Sequence, residues 1–490
     1  MEYFLKSKNN LKSSNEVFEW ISRFINLERG QKPKSFRLDR MEFLTELAGN
    51  PHRCAPSFHI AGSKGKGSVT GMLAAMLTAA GYRAARYMSP HVIDIRERIC
   101  LNDSYFSEDV YCAAGNELFD IIKIRLPEAV KVASPMASQT AAPIAASSKA
   151  LLFNPATEEG CEPTYFELMT LYFFLCAKHG NCDVMVVETG MGGRLDSTNI
   201  LDPLVSVITL IELEHTSFLG DTIEKVAGEK AGIIKQGKPL VLAKQNDEAL
   251  EVFRKKAAEQ NSLLFYLPKI ANLSDINITR QGTEFSLSFS SPLCLSTSVP
   301  LCDALRLSIP IPGKVQAQNA ALAIIALKIA FPNISDNAIH QGLANLKIPA
   351  RFENISQTET QPFIIDGAHT PESLELCIDT FCSLYGEEGI LLFGCAADKD
   401  AAAMATIAYK RFSKIIVTTP GAFKSSNPAL VYEAFISAAR QKRKDVKTLL
   451  VKDTLEAIGL AQELARKDNL PILGAGSFYL VSEIRKAVCS

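Results

Sequence analysis

Hydrophobic and polar positions along this chain change period several times, and each change predicts an element. Val17, Ile21, Phe24 and Ile25 share one helical face, so residues 12–55 are expected to be helical. Phe58–Ala61 then forms a short apolar run, the end of a buried strand. Val69, Met72, Leu73, Met76, Leu77 and Ala80 follow at helical spacing until Gly81 stops them. Phe166–Cys176 suits a buried helix and Val184–Val187 a short strand. Val205–Ile211 and Pro239–Ala243 are two more strands, with a helix over Ile223–Ile233 between them. From 264 to 311 the period drops to two, as in Thr283–Phe289, which predicts an antiparallel patch. Asn319–Ala330 is helical again. Beyond Arg351 a second series begins, with strands Phe363–Ile365, Ile390–Phe393, Ile415–Val417, Thr448–Val451 and Pro471–Leu473 separated by helical segments.

Strands alternating with helices predict parallel sheets. The expected fold class is α/β. It has a larger N-terminal domain, with a mostly parallel sheet, helices on both faces and a small antiparallel patch. A smaller C-terminal α/β Rossmann-like domain follows. The boundaries are set at 1–347, a linker at 348–352 near Pro349, and 353–490. Residues 133–162 are rich in Ala, Ser, Pro and Thr and are read as an inserted surface loop, with helical character only at Ala145–Leu152.

Composition narrows the function classes. The 490 residues are 47% apolar and 21% charged, an ordinary globular balance that suits two domains. Lys and Arg total 52 against 53 Asp and Glu, so no basic excess supports nucleic-acid binding. The opening Met-Glu-Tyr-Phe lacks the apolar core of a signal peptide, and no run is long enough to span a membrane. The 12 cysteines form no CxxC pair and the 7 histidines no HxxxH pair. They read as reduced core thiols and scattered imidazoles. The expectation is a cytoplasmic enzyme.

The chemistry centres on Gly62, Ser63, Lys64, Gly65, Lys66, Gly67 and Ser68, a glycine-rich loop between a strand and a helix. Its backbone N–H groups can wrap phosphate oxygens. Lys66 can reach the terminal phosphates, and Ser68 supplies a hydroxyl near a metal. Glu188 ends an apolar strand just before a glycine-rich turn, a position suited to Mg²⁺. Arg194 and Asp196 follow and could pair or contact substrate. His215 lies past the next strand, at the same edge. By composition alone Lys230 is a surface lysine or a phosphate contact, because an ammonium beside Mg²⁺ would be repelled. In the second domain Asp366 and His369 flank a tight turn, and Arg351 near the junction could reach a transferring phosphoryl group when the domains close.

Taken together these segments resemble the folylpolyglutamate synthase/dihydrofolate synthase family, a branch of the Mur-ligase-like ATP-dependent amide ligases. The resemblance runs from Arg37–Met41 and Gly49–Pro51 through the phosphate loop, Ser89-Pro90-His91, Glu97-Arg98-Ile99 and Thr164–Glu167. It continues through Glu188–Asn199, His215–Gly220, Glu229–Ile233, Pro312–Gln316 with Asn319, Arg351–Glu353, Asp366–Pro371 and Asp398–Asp400. It implies that Lys66 and Ser68 handle ATP phosphates, and that Ser89 and Glu188 bind one Mg²⁺. His215 and a carbamylated Lys230 would bind a second Mg²⁺. Asn319, Arg351, Asp366 and His369 would contact ATP across the cleft, with Lys66, Lys230, Arg351 and His369 the catalytic set.

The implied reaction joins L-glutamate to dihydropteroate or a reduced folate through an acyl phosphate, giving ADP and phosphate, in a monomer. This chain departs from the family in Lys64 and Thr370, where asparagine is usual, and in Val315, where histidine is usual. A cell-wall Mur ligase and a nucleotide-binding regulator without ligase activity are the competing readings. The Glu188–Asn199 segment argues against the first, and retention of the charged positions against the second.

Overall fold

The computed structural model describes residues 10–29, 31, 36–102, 104–126, 162–290, 304–356, 361–409, 411–421, 424–442 and 446–489. The expected inserted loop with its helical stretch Ala145–Leu152 lies outside the described residues, Glu162 excepted.

Seven strands form the first sheet: β1 (Ser57–Ala61), β2 (Ala84–Tyr87), β3 (Ile99–Leu101), β4 (Val184–Glu188), β5 (Val205–Ile208), β6 (Leu240–Leu242) and β7 (Leu264–Tyr266). Their order is β3-β2-β4-β1-β5-β6-β7, parallel except for the edge strand β3. Both faces are buried, and the pleat divides β4 between them. Val184 and Val186 enter the cluster under helices Lys66–Ala79 and Lys314–Ala330, whereas Met185 and Val187 enter the cluster under Tyr165–His179. That is why the strand reads as an unbroken apolar run.

The phosphate-loop helix Lys66–Ala79 is buried on every side, more than its one-face spacing predicts. A methyl on Gly342 would sit 2.5 Å from Met76 Cα, so the glycine lets helix Asp336–Ala344 close over it.

The expected antiparallel patch is real but shorter. Strands β8 (Ala271–Thr279), β9 (Gly282–Phe289) and β10 (Leu305–Ile309) form it, whereas β7 pairs parallel with β6 in the main sheet. Residues 12–55 are likewise not one helical run. They contain helices Ser14–Ile21 and Asp39–Leu47 with single 3₁₀ turns between and after them. The Val205–Ile211 strand stops at Ile208, because the chain turns there to meet the phosphate loop: Ser63 and Lys64 N–H both donate to Leu210 O.

The second sheet comprises β11 (Glu353–Asn354), β12 (Phe363–Ile365), β13 (Ile390–Phe393), β14 (Lys414–Val417), β15 (Lys447–Leu450) and β16 (Ile472–Ala475), ordered β11-β12-β16-β13-β14-β15. It is parallel except for the short edge strand β11. Its carboxyl ends face those of the first sheet across a cleft of about 1510 Å³ that draws walls from both. No described helix is long and apolar enough to cross a membrane.

Candidate active site

The phosphate loop enters from β1 and opens into helix Lys66–Ala79. Gly62 and Gly65 have φ of +146° and +89°, and a side chain on either would strike Thr209 Oγ1 or Asn319 Oδ1. Glycine is required at both, and Asn319 is thereby held against the loop. Lys66 Nζ lies 2.9 Å from Gly62 O, folded back along its own loop. Ser63 Oγ donates to Glu212 O at 3.0 Å. Lys64 is half-buried in the cleft wall, and its ammonium has no hydrogen-bond or ion-pair partner among the described residues. Loss of solvation pulls its ammonium down to about 8, with Glu214 and Glu212 opposing.

Glu188 closes β4 beside this loop. A methyl placed on Gly67 would be 3.5 Å from Glu188 Oε2 and 3.6 Å from Arg351 Nη2, so three parts of the chain converge there. Burial raises the Glu188 carboxyl to about 7, opposed by Lys66, Arg351 and the Ser89 N–H. Its Oε2 is buried without a partner.

The glycine-rich turn after Glu188 is scaffold. A side chain on Gly193 would meet Glu229 O at 2.8 Å, so its absence lets helix Ile223–Ala231 press onto the turn. Arg194 and Asp196 do not pair. Arg194 Nη2 bonds Glu229 Oε1 at 2.9 Å, and Asp196 accepts the N–H groups of Met191 and Thr198. This packing corrects the composition-based placing of Lys230 at the surface. Lys230 is 1% exposed and stands behind the loop, not in the cleft wall. Its Nζ donates to Gly62 O at 2.9 Å and to Glu214 Oε1 at 2.6 Å. Burial lowers the Lys230 ammonium, with Glu214 opposing. Burial works against the charge on Glu214, but Lys230, Lys66 and His215 hold its carboxyl down at about 2. His215 takes φ of +47° to start a short helix. Lost solvation pulls its imidazole to about 4 despite Glu214, and the ring lines the cleft.

The junction aims Arg351. Ala350 and Phe352 on either side have φ of +58° and +44°, a conformation that disfavours side chains. Asp366 holds it by accepting the Phe352 and Ala368 N–H groups, each at 2.8 Å. Ala350 N–H donates to Glu353 Oε2 at 2.9 Å, and Arg485 Nε holds the other oxygen at 2.8 Å. The Arg351 guanidinium lies 4.4 Å over the Phe478 ring. His369 Nδ1 faces Gly367 O at 2.8 Å, which leaves Nε2 for the cleft. Thr370 caps helix Pro371–Tyr385 through Ser373, a role its hydroxyl fills well.

The opposite arm of the cleft is lined by Ile25, Phe36, Arg40, Phe166, Glu167 and Phe218. Phe36 and Phe218 meet edge to face at 5.9 Å, and each is more than a third exposed. Arg40 Nε lies 2.7 and 2.9 Å from the two Glu167 oxygens, with both side chains buried.

No three His, Cys, Asp or Glu side chains converge on a metal position among the described residues. That donor set suits Mg²⁺, which takes one or two protein oxygens and completes its shell from phosphate and water. The orphaned Glu188 Oε2 beside Ser89 is such a donor. Sequence reasoning missed Glu214, Phe478 and the Arg40–Glu167 pair. An acidic residue adjoining His215 was the available signal for the first; the other two depend on the fold.

Residues 140–327 match the model of the Mur ligase middle domain, and residues 350–478 that of the Mur ligase glutamate ligase domain. The chain is 32% identical to the dihydrofolate synthase/folylpolyglutamate synthase of Bacillus subtilis, over 94% of this chain and 96% of that one. It is 30% identical to the folylpolyglutamate synthase of Lacticaseibacillus casei, over 92% and 94%. Among solved structures, folylpolyglutamate synthase of Thermotoga maritima superposes with a TM-score of 0.74 at 27% identity, covering 97% of each chain. An FPGS complex with AMPPCP and folate gives 0.75 at 26%, covering 98% of this chain and 100% of the other.

Proposed function

Because the chain belongs to the dihydrofolate synthase/folylpolyglutamate synthase family of Mur-type ligases, we propose that it is an ATP-dependent, ADP-forming ligase that joins L-glutamate to dihydropteroate, to reduced folates, or to both. The observation that carries this reading is the meeting of Gly67, Glu188 and Arg351 at one point of the cleft. A loop for phosphate, an unpaired carboxylate and a guanidinium from the opposite sheet are what phosphoryl transfer to a carboxylate requires.

In the proposed reaction an acceptor carboxylate oxygen attacks the γ-phosphorus of ATP, and the bond to the β-phosphate oxygen breaks to give ADP and an acyl phosphate. The glutamate nitrogen then attacks the acyl carbon, loses a proton, and displaces phosphate. Lys66 leaves the Gly62 carbonyl to neutralise the terminal phosphates, and Arg351 neutralises charge from the other side. Ser63, Gly65, Gly67 and Ser68 line the phosphate path, with Lys64 as an added cation. Asn319 and His369 Nε2 face the nucleotide. Asp366, with both oxygens on backbone N–H groups, acts by aiming Arg351. The partly exposed Phe36 ring suits a flat pterin.

Ser89 and Glu188 would hold one Mg²⁺, and His215 with carbamylated Lys230 a second; bound there, Mg²⁺ supplies positive charge to the phosphates. Burial of Lys230 favours the neutral amine that carbamylation needs, and Glu214 at 2.6 Å means the carbamate must arrive with a cation. We divide the chain at 1–347, 348–352 and 353–490. It is expected to act as a monomer, since one chain supplies both walls of the cleft.

The test is ADP release from ATP, Mg²⁺ and L-glutamate, comparing dihydropteroate, tetrahydrofolate and a UDP-muramoyl peptide as acceptors. Release with either pteridine supports the reading. Release only with the muramoyl acceptor, or with none, overturns it.

A further inference from the structure

The segment from Ser89 to Arg98 leaves the first sheet after β2 and ends against the core of the second. Val92 is 5% exposed and belongs to the hydrophobic cluster of Ala350, Ile355, Phe363 and Ile365. Every other described member of that cluster lies at residue 350 or beyond. Val92 is thus a residue of the nucleotide half buried in the core of the other half.

The segment is stiff on both sides of Val92. On one side the Glu97 carboxylate accepts three consecutive N–H groups, from Val92 at 2.7 Å, Ile93 at 3.0 Å and Asp94 at 3.1 Å. Arg98, buried and gripped bidentately by Glu28 at 2.8 Å, donates through Nε to His91 Nδ1 at 2.9 Å. On the other side Ser89 lines the cleft beside Glu188, its N–H close enough to oppose the rise of that carboxyl. Only Pro90 and His91 therefore separate Ser89, beside Glu188, from Val92 in the second half's core.

We propose that Val92 is a positioning residue: by seating in the second half's core, it sets Ser89 against Glu188 and so completes the metal-binding pair only when the two halves are docked. The inference rests on the ligase reading for the role of Ser89 and Glu188, but the mechanical coupling does not. It gives the Ser89 loop a second duty as the part that senses closure. Truncating the plug should loosen Ser89 without touching any group on the nucleotide.

The test uses the full chain with Val92→Ala and Val92→Ile. Loss of two buried methylenes' worth of contact predicts about tenfold faster amide exchange in nucleotide-free protein over residues 88–93, with β4 unchanged. Removing support behind a ligand also predicts that the Mg²⁺ concentration for half-maximal ADP release rises about tenfold. Val92→Ile, which keeps the plug, should restore both. Unchanged exchange at 88–93 overturns the proposal. So does a rise spread evenly over the chain, or a Val92→Ile protein as impaired as Val92→Ala. If the wild type releases no ADP with any acceptor, the ligase reading fails, while the exchange comparison still decides the coupling.

Discussion

Replacing Arg40 by methionine isolates one buried charge. The Arg40 and Glu167 side chains are 4% and 3% exposed, and Nε lies 2.7 and 2.9 Å from the two carboxylate oxygens. Glu167 also accepts the Thr164 N–H at 2.7 Å and its hydroxyl at 2.9 Å, closing the first turn of helix Tyr165–His179. Breaking a buried pair from one side costs about 3–5 kcal/mol, because the remaining charge is left without a counterion. The capping bonds and the helix N-terminus offset about 1 kcal/mol of that, so Arg40→Met should lose about 3 kcal/mol. For a cooperative unit of about 350 residues the midpoint of thermal unfolding should fall by about 4 °C. Arg40→Met with Glu167→Gln removes the orphaned charge while keeping an acceptor for Thr164, and should return to within about 1 kcal/mol of wild type. Denaturant unfolding of the four proteins gives a coupling of at least about 2 kcal/mol. The pair also floors the acceptor arm, so KM for dihydropteroate should rise in Arg40→Met while KM for ATP holds. A loss below about 1 kcal/mol, the level of an exposed pair, would refute the reasoning.

Three further outcomes are expected. Glu188 in the folded chain is raised from 4.5 to about 7, so its contribution to stability is full below 4.5 and lost as pH rises through 7. Metal-free Glu188→Gln should therefore gain up to about 3 kcal/mol relative to wild type between pH 4.5 and 8, read from unfolding midpoints; a constant difference across that range counts against it. Arg351→Lys keeps the charge but not the planar stack on Phe478, and kcat for ADP release should fall about 100-fold with little change in unfolding. Gly67→Ala puts a methyl where Glu188 and Arg351 converge. Nucleotide affinity by calorimetry should drop at least about tenfold while thermal stability holds or rises, since alanine favours the helix that the residue enters.

Much of the fold was legible because both sheets are buried on two faces. Continuous apolar runs such as Val184–Val187 announce parallel strands whatever their order. Strand order was not, since β4 lies between β1 and β2 on the strength of contacts distant in sequence. The placing of β7 was misread because a short apolar run does not say whether its neighbour is parallel, and the end of β5 because its last residues turn to meet the phosphate loop. Within the site, glycine spacing located the phosphate loop, and Glu188 was readable as a carboxylate at a strand end. Lys230 was not readable. Its burial follows from Gly193 admitting a helix, an event at a residue 37 positions away (230 minus 193). The positive φ values around Arg351 left no mark either, because Ala350 and Phe352 are not residues that advertise them.

Val92 bears on how such a protein can be divided and recombined. A cut at the 348–352 joint would leave an N-terminal piece that retains its phosphate loop but presents Val92 to solvent. The matching C-terminal piece would carry a vacancy among Ile355, Phe363 and Ile365. Arg351 would fall to one side of the break, separated from either Asp366 or the loop it serves. Exchange of either half between relatives therefore has to carry the Ser89–Arg98 segment and its receptor cluster as a matched lock and key. The inheritable module is the mated pair of sheets.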